Sequence, residues 1–294
     1  MGDRVGLVRI VVTGAAGMLG CDVVTAATRG GHEVLALGRP DLDVTDVAAA
    51  RDLLGPGDVV VNCAAWTDVD GAETQEAVAE RVNGAGLRAL ATACRDRDAR
   101  LVHMSTDYVF AGDASTPYPE DATLAPVSAY GRSKAAGERA VRDLLPGAGF
   151  VVRTAWLYGE NGPNFVTTML RLEQSRDTID VVDDQRGQPT WTRDVAARLV
   201  TMIERDLPPG IYHATSSGET TWFGLARAIF TAVGAEPARV RPATTSSVLR
   251  PAPRPAYSVL GHDAWGRVGL EPLRNWGAAL EEAVPELRAS LAAS

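Results

Sequence analysis

Lysine is nearly missing from this chain: of its 29 basic residues 28 are arginine, and the one lysine is Lys134. Cysteine is scarce as well. Cys21, Cys63 and Cys94 form no C-x-x-C, and His32, His103, His213 and His262 stand singly, without metal-ligand spacing. That pattern excludes a disulfide framework and a structural zinc site, and leaves these residues as packing or surface groups with no metal expected. No apolar run approaches the roughly 20 residues that span a bilayer, so no membrane segment is expected. Positive charge is not in surplus either. A net charge of −8 and a pI near 5.1 argue against a nucleic-acid or anionic-membrane binder, while leaving room for a local basic pocket around one phosphate. The opening "MGDRVGLVRIVVTGAAG" lacks a signal-peptide layout, because its apolar part runs straight into a glycine turn; the chain reads as cytoplasmic.

What is present suits a globular enzyme. With 46% hydrophobic and 22% charged residues in 294, there is material for one large domain or two intimate ones. Apolar runs "RIVVT" (9–13), "EVLAL" (33–37), "DVVVNCA" (58–64), "RLVHMST" (100–106) and "FVVRTAW" (150–156) predict strands. Between them, Ala-rich stretches at 18–31, 47–57, 72–98 and 133–147 predict helices closed by Gly or Pro. Continuous apolar strands alternating with helices imply an α/β fold, a doubly wound parallel sheet of the Rossmann-like kind. Beyond residue 160 the pattern loosens into loops, an amphipathic helix at 193–204, a strand at 210–215, a helix at 221–234, a Pro-rich passage at 241–258 and a short helical tail. The expected division is an NADP-binding part over 1–160, with later returns to it around 190–216, and a smaller, mainly substrate-binding part over 161–294.

"TGAAGMLG" places Gly14, Gly17 and Gly20 between a predicted strand and a predicted helix. Glycine there lets the backbone approach a pyrophosphate, and the helix N-terminus stabilises its charge. The next strand ends "EVLALGRPDLDV", with Gly38 and Arg39 where an acidic residue would select NAD. Arg39 facing a 2′-phosphate favours NADPH, with NADH as the alternative and a plain surface arginine as the competing reading. Asp43 and Val44 follow, placed for the adenine edge. Lys134 lies four residues after Tyr130, a spacing that puts a phenol and an ammonium on one helix face. Such an ammonium is expected to pull the phenol's pKa from about 10 towards neutrality.

These elements, with "STDYVF" (105–110), "VNCAAWTDVDGAE" (61–73) and "RTAWLYG" (153–159), resemble the extended short-chain dehydrogenase/reductases, and within them the dTDP-4-dehydrorhamnose reductase group. The resemblance runs from about residue 9 to 260. It implies Thr106, Tyr130 and Lys134 as the catalytic triad. It further implies Gly17, Met18 and Leu19 at the pyrophosphate, Asp43 and Val44 at the adenine, and Cys63, Ala64, Ala65 and Thr67 at the cofactor ribose, which Tyr130 and Lys134 also reach. Thr106, Asp107 and Trp156 fall near the sugar, and Asn83 falls behind the lysine. The implied reaction is reduction of the 4-keto group of a dTDP-linked 6-deoxyhexose by a monomer or homodimer. Two departures from the group's pattern stand out: its acidic residue after the second strand is absent, and the acidic residues that hold a magnesium ion between subunits in some members find no counterparts. A dehydratase of the superfamily would carry Glu after Asp107, where this chain has Tyr108. An epimerase, or a non-catalytic cofactor-binding subunit like that of methionine adenosyltransferase, remains open at this point.

Overall fold

Val59, Val60 and Val61 are consecutive and at most 1% exposed, so their strand is covered on both faces. In the computed structural model, which describes residues 6–293, that strand lies inside a six-stranded sheet. The first five residues, part of the stretch read above as lacking a signal peptide, lie outside the described residues. The strands are Arg9–Thr13 (β1), Glu33–Leu37 (β2), Val59–Asn62 (β3), Arg100–Thr106 (β4), Gly149–Thr154 (β5) and Gly210–His213 (β6). Every pairing is parallel and the order is β6-β5-β4-β3-β1-β2.

Side chains alternate across the sheet, so each strand feeds two cores. Ile10, Val12, Val61, Val102 and Met104 face Met18–Arg29 (α1) and Thr192–Glu204 (α8). Val11, Val60, Leu101 and Val151 face Val47–Leu53 (α2), Leu87–Asp96 (α5) and Ala129–Leu144 (α6). Leu19, Val23 and Ala27, four apart, form the buried stripe with which α1 meets α8. A third core joins Phe165–Ser175 (α7), Trp222–Ala232 (α9) and the C-terminal helix Trp276–Ala293 (α11). The tail expected to be short is therefore an 18-residue helix, because Ala279, Leu280, Ala283, Val284 and Leu287 give it an apolar face that this core buries.

A second difference concerns 72–98, where one helix was expected. The chain instead forms Val69–Thr74 (α3), Glu76–Glu80 (α4), a π-helical turn at Arg81–Gly86, and then α5. Gly84 and Gly86 weaken regular helix here. Asn83 turns its amide inward to accept from Trp66 N at 2.8 Å and donate to Ser133 Oγ at 2.9 Å, which the wider turn accommodates.

Candidate active site

The strand order reverses between β1 and β3, and a doubly wound sheet leaves a crevice outside the carboxyl ends of its strands at such a point. Here it is a cleft of about 1180 Å³. The glycine turn forms one wall. Gly14 has φ +66°, and a Cβ on it would lie 2.6 Å from Ala64 N and 2.8 Å from the Cys63 carbonyl carbon, so no other residue fits. A Cβ on Gly20 would come within 2.2 Å of Gly14 O; its absence seats α1 on the turn. Gly17 caps the 12-residue α1 without a side-chain acceptor, leaving first-turn N–H groups to meet an anion at the positive end of the helix. Met18, Leu19, Cys63, Ala64, Ala65 and Thr67 line the same wall. A dinucleotide pyrophosphate fits this cradle.

Beyond the second strand Arg39, and on the π turn Arg81, line the cleft and are exposed. Both act electrostatically on Asp43. Asp43 and Val44 are at the cleft, but the Asp43 carboxylate is engaged locally, accepting from Thr45 N at 2.9 Å and Thr45 Oγ1 at 2.8 Å. Those bonds hold its pKa below the usual value.

At the other end, Ser128 caps α6 by accepting from Gly131 N, and Tyr130 and Lys134 follow on one face. Lys134 is 2% exposed; its Nζ donates to Met104 O at 2.6 Å and lies 3.3 Å from His103 Nε2. Burial brings its pKa down to about 8. Tyr130 departs from expectation. Desolvation pushes its phenol up to about 12, with a Thr106 hydrogen bond pulling the other way and the Asp107 charge adding to the rise. The physical reason is that Lys134 points to Met104 and His103, so burial of the phenol dominates. A group that must give up a proton at neutral pH is better served by this state than by a phenolate. Asn83 binds Trp66 and Ser133 directly, and His103 lies beside the lysine.

Thr106 ends β4 with its hydroxyl donating to Asp107 Oδ1 at 3.0 Å and accepting from Tyr108 N at 3.2 Å. Its single proton is shared between Asp107 and Tyr130, and bonding to a substrate oxygen requires the hydroxyl to turn. Asp107 is 2% exposed, and burial lifts its pKa to about 6 while Ser258 and Thr106 hydrogen bonds pull the other way. Trp156, at φ +46°, stacks on Trp222 with ring centres 3.6 Å apart and planes 8° from parallel, an apolar wall at the cleft mouth.

Residues 8–289 match the family model described as the RmlD substrate binding domain. The chain belongs to that family. It is 54% identical over 285 residues to a dTDP-4-keto-6-deoxy-D-glucose reductase of Streptomyces niveus, covering 96% of this chain and 98% of the relative. It is also 54% identical to a dTDP-4-dehydrorhamnose reductase of Streptomyces griseus, covering 95% and 94%. Among solved structures, the dTDP-4-dehydrorhamnose reductase of Bacillus anthracis in complex with NADP superposes with a TM-score of 0.90 at 35% identity, covering 96% and 100%.

Every site residue expected from the sequence lines this one cleft except Asn83, which is buried. Three others were missed. Arg81 was hidden in what reads as plain helix; Trp222 is distant in sequence from every motif; His103 passed as a packing residue. For His103 a signal existed: it stands with Leu101 and Ser105 on one face of β4, shortly before Thr106 and Asp107.

Proposed function

We propose that this protein reduces the 4-keto group of a dTDP-linked 6-deoxyhexose with NADPH, in deoxysugar biosynthesis. The reading is carried by the convergence of the glycine turn, Thr106, Tyr130 and Lys134 on one cleft, in a chain that shares 54% identity with two such reductases. Division of labour follows the cleft: the sheet with α1 to α6 holds the cofactor, and the part built on α7, α9 and α11 supplies the sugar wall. The cytoplasm, where nucleotide sugars and NADPH meet, is the proposed site of action.

When bound, the reduced nicotinamide supplies the hydride that the carbonyl carbon accepts. Tyr130, held protonated, gives its proton to the sugar oxygen, a contribution typically of about 10²- to 10⁴-fold. Thr106 turns from Asp107 to hydrogen-bond the same oxygen, stabilising its growing charge. Lys134 binds the ribose hydroxyls and anchors the cofactor beside Tyr130. Gly14, Gly17, Met18, Leu19 and Gly20 hold the pyrophosphate, Cys63, Ala64, Ala65 and Thr67 border the ribose, and Val44 with Asp43 borders the adenine. Arg39 pairs with the 2′-phosphate, and Arg81 supplies a second guanidinium. The stacked Trp156 and Trp222 present an apolar face to the sugar ring, and Asp107 bounds its polar side.

The test is net oxidation of NADPH by the purified protein with dTDP-4-dehydrorhamnose or another dTDP-4-keto-6-deoxyhexose, together with Tyr130→Phe. Turnover by the native protein, and its loss in a variant that binds NADPH within a few-fold of normal, is expected. No oxidation with several such sugars would reject the reading; an epimerase would interconvert sugars without net oxidation.

A further inference from the structure

The parallel register places Thr13 of β1 beside Asn62 of β3, and Asn62 beside His103 of β4. All three project to one face of the sheet, Thr13 and Asn62 as the last residues of their strands and His103 from the middle of β4, and they are linked. Thr13 Oγ1 donates to Asn62 Oδ1 at 2.6 Å, Asn62 Nδ2 lies 3.0 Å from His103 Nδ1, and His103 Nε2 lies 3.3 Å from Lys134 Nζ. None of the four residues is more than 4% exposed. Gly137 closes the ring in from α6, since a Cβ there would lie 3.5 Å from Nε2. Buried polar groups left unpaired are costly, so a row this complete around one ammonium has a purpose beyond packing.

We propose that His103, oriented by Asn62 and Thr13, is a positioning residue that holds Lys134 for turnover. The proposal rests on the reading of Lys134 as the partner of Tyr130. An ammonium has only donors, so when Lys134 is charged Nε2 must accept and the ring proton sits on Nδ1. The Asn62 amide then presents its oxygen to the ring and its nitrogen to Thr13. With the amide oriented as in the structure, the ring proton is on Nε2 and a neutral Lys134 accepts it. A single amide flip therefore matches the row to either charge state of the lysine, with the charged state giving up the 3.4 Å bond from Asn62 Nδ2 to Ala64 O. The titratable groups around the ammonium are His103 from β4, the Cys63 thiol after β3 and Glu138 from α6, with Glu138 itself paired to Arg153. Cys63 is held protonated, its pKa raised to about 12 by burial. Met104 O and His103 are then the two neutral acceptors that fix where the ammonium sits.

The experiment compares His103→Phe with His103→Gln in the full-length protein, reading kcat against pH with NADPH, NADPH affinity by fluorescence, and thermal melting. Phenylalanine keeps the volume and removes the acceptor, whereas glutamine can place an oxygen near Nε2. For His103→Phe, kcat should fall about tenfold or more. Its alkaline limb should move to lower pH, because the buried ammonium has lost an acceptor. His103→Gln should bring both back to within a few-fold of native. An alkaline limb unmoved in both variants would overturn the proposal, as would a glutamine variant that folds yet is as slow as the phenylalanine one. Adding His103→Gln to Lys134→Met should cost nothing further, and an added loss of tenfold or more would overturn it too. Native turnover by Lys134→Met alone would reject the role of Lys134 and with it the proposal, separately from any result at His103.

Discussion

Lys134→Arg is the substitution the composition invites and the site should refuse. The Arg Cζ would fall close to the present Nζ, 2.6 Å from Met104 O, a distance suited to an N–H donor and too short for carbon. The guanidinium must therefore back away from Met104, while its outer nitrogens extend about 1.3 Å further. Both movements push it towards the ribose and Tyr130. A misplacement near 1 Å costs on the order of 10² in rate. Overpacking a site this buried costs about 1–3 kcal/mol of stability, so the variant should fold and melt several degrees lower. The pH profile changes as well. Lys134 titrates at about 8, and with a charged lysine needed at the ribose, native kcat should decline above that pH; arginine stays charged and the decline should vanish. Steady-state kcat from pH 6.5 to 9.5 and a melting curve suffice as the assay. A folded Arg variant with native kcat would refute the reasoning, since it would show that the position tolerates either cation.

Arg39→Ala should weaken NADPH more than NADH, by about tenfold in preference, because only NADPH carries a 2′-phosphate, and Arg81→Ala should do the same to a smaller degree; equal losses for both cofactors would return these arginines to the solvated surface. Gly14→Ala meets backbone at 2.6 Å and a left-handed φ, so it should cost about 2–5 kcal/mol of stability and most NADPH affinity, read by melting and fluorescence titration; a native-like variant would mean that the turn relaxes freely. Asp107 has its pKa raised to about 6 by burial, so the native state binds its proton more tightly than the unfolded chain. Its contribution to stability is then full below the unfolded value near 4 and lost as pH rises through 6, at up to about 1.4 kcal/mol per pH unit. Denaturant titrations between pH 4 and 7 should show that loss in the native protein and less of it in Asp107→Asn; parallel curves would contradict the assignment.

Much of the fold was legible because the sheet is covered on both faces. Strands such as Val59–Asn62 carry unbroken apolar runs, and period alone separates them from Ala-rich helices. The boundaries of β1, β2 and β4 follow from the sequence to the residue. The helix over 72–98 was misread because Gln75 leaves helical geometry and because the π turn that follows places Asn83 against Trp66 and Ser133, contacts 17 and 50 residues away. The candidate site was legible wherever local spacing carries it: Gly14 to Gly20, and Tyr130 to Lys134. It was not where neighbouring strands assemble it. His103 gains its meaning from Asn62 and Thr13, and the Tyr130 phenol from desolvation at the cleft floor, neither of which spacing encodes.

The central claim is that this cleft brings about hydride delivery to a sugar ketone. NADPH deuterated at the nicotinamide C4, incubated with the protein and dTDP-4-dehydrorhamnose, tests it most directly, with the product read by mass spectrometry and NMR. Deuterium bonded to C4 of the sugar in stoichiometric amount is predicted. Unlabelled product, label at another carbon, or no product at all would contradict the account.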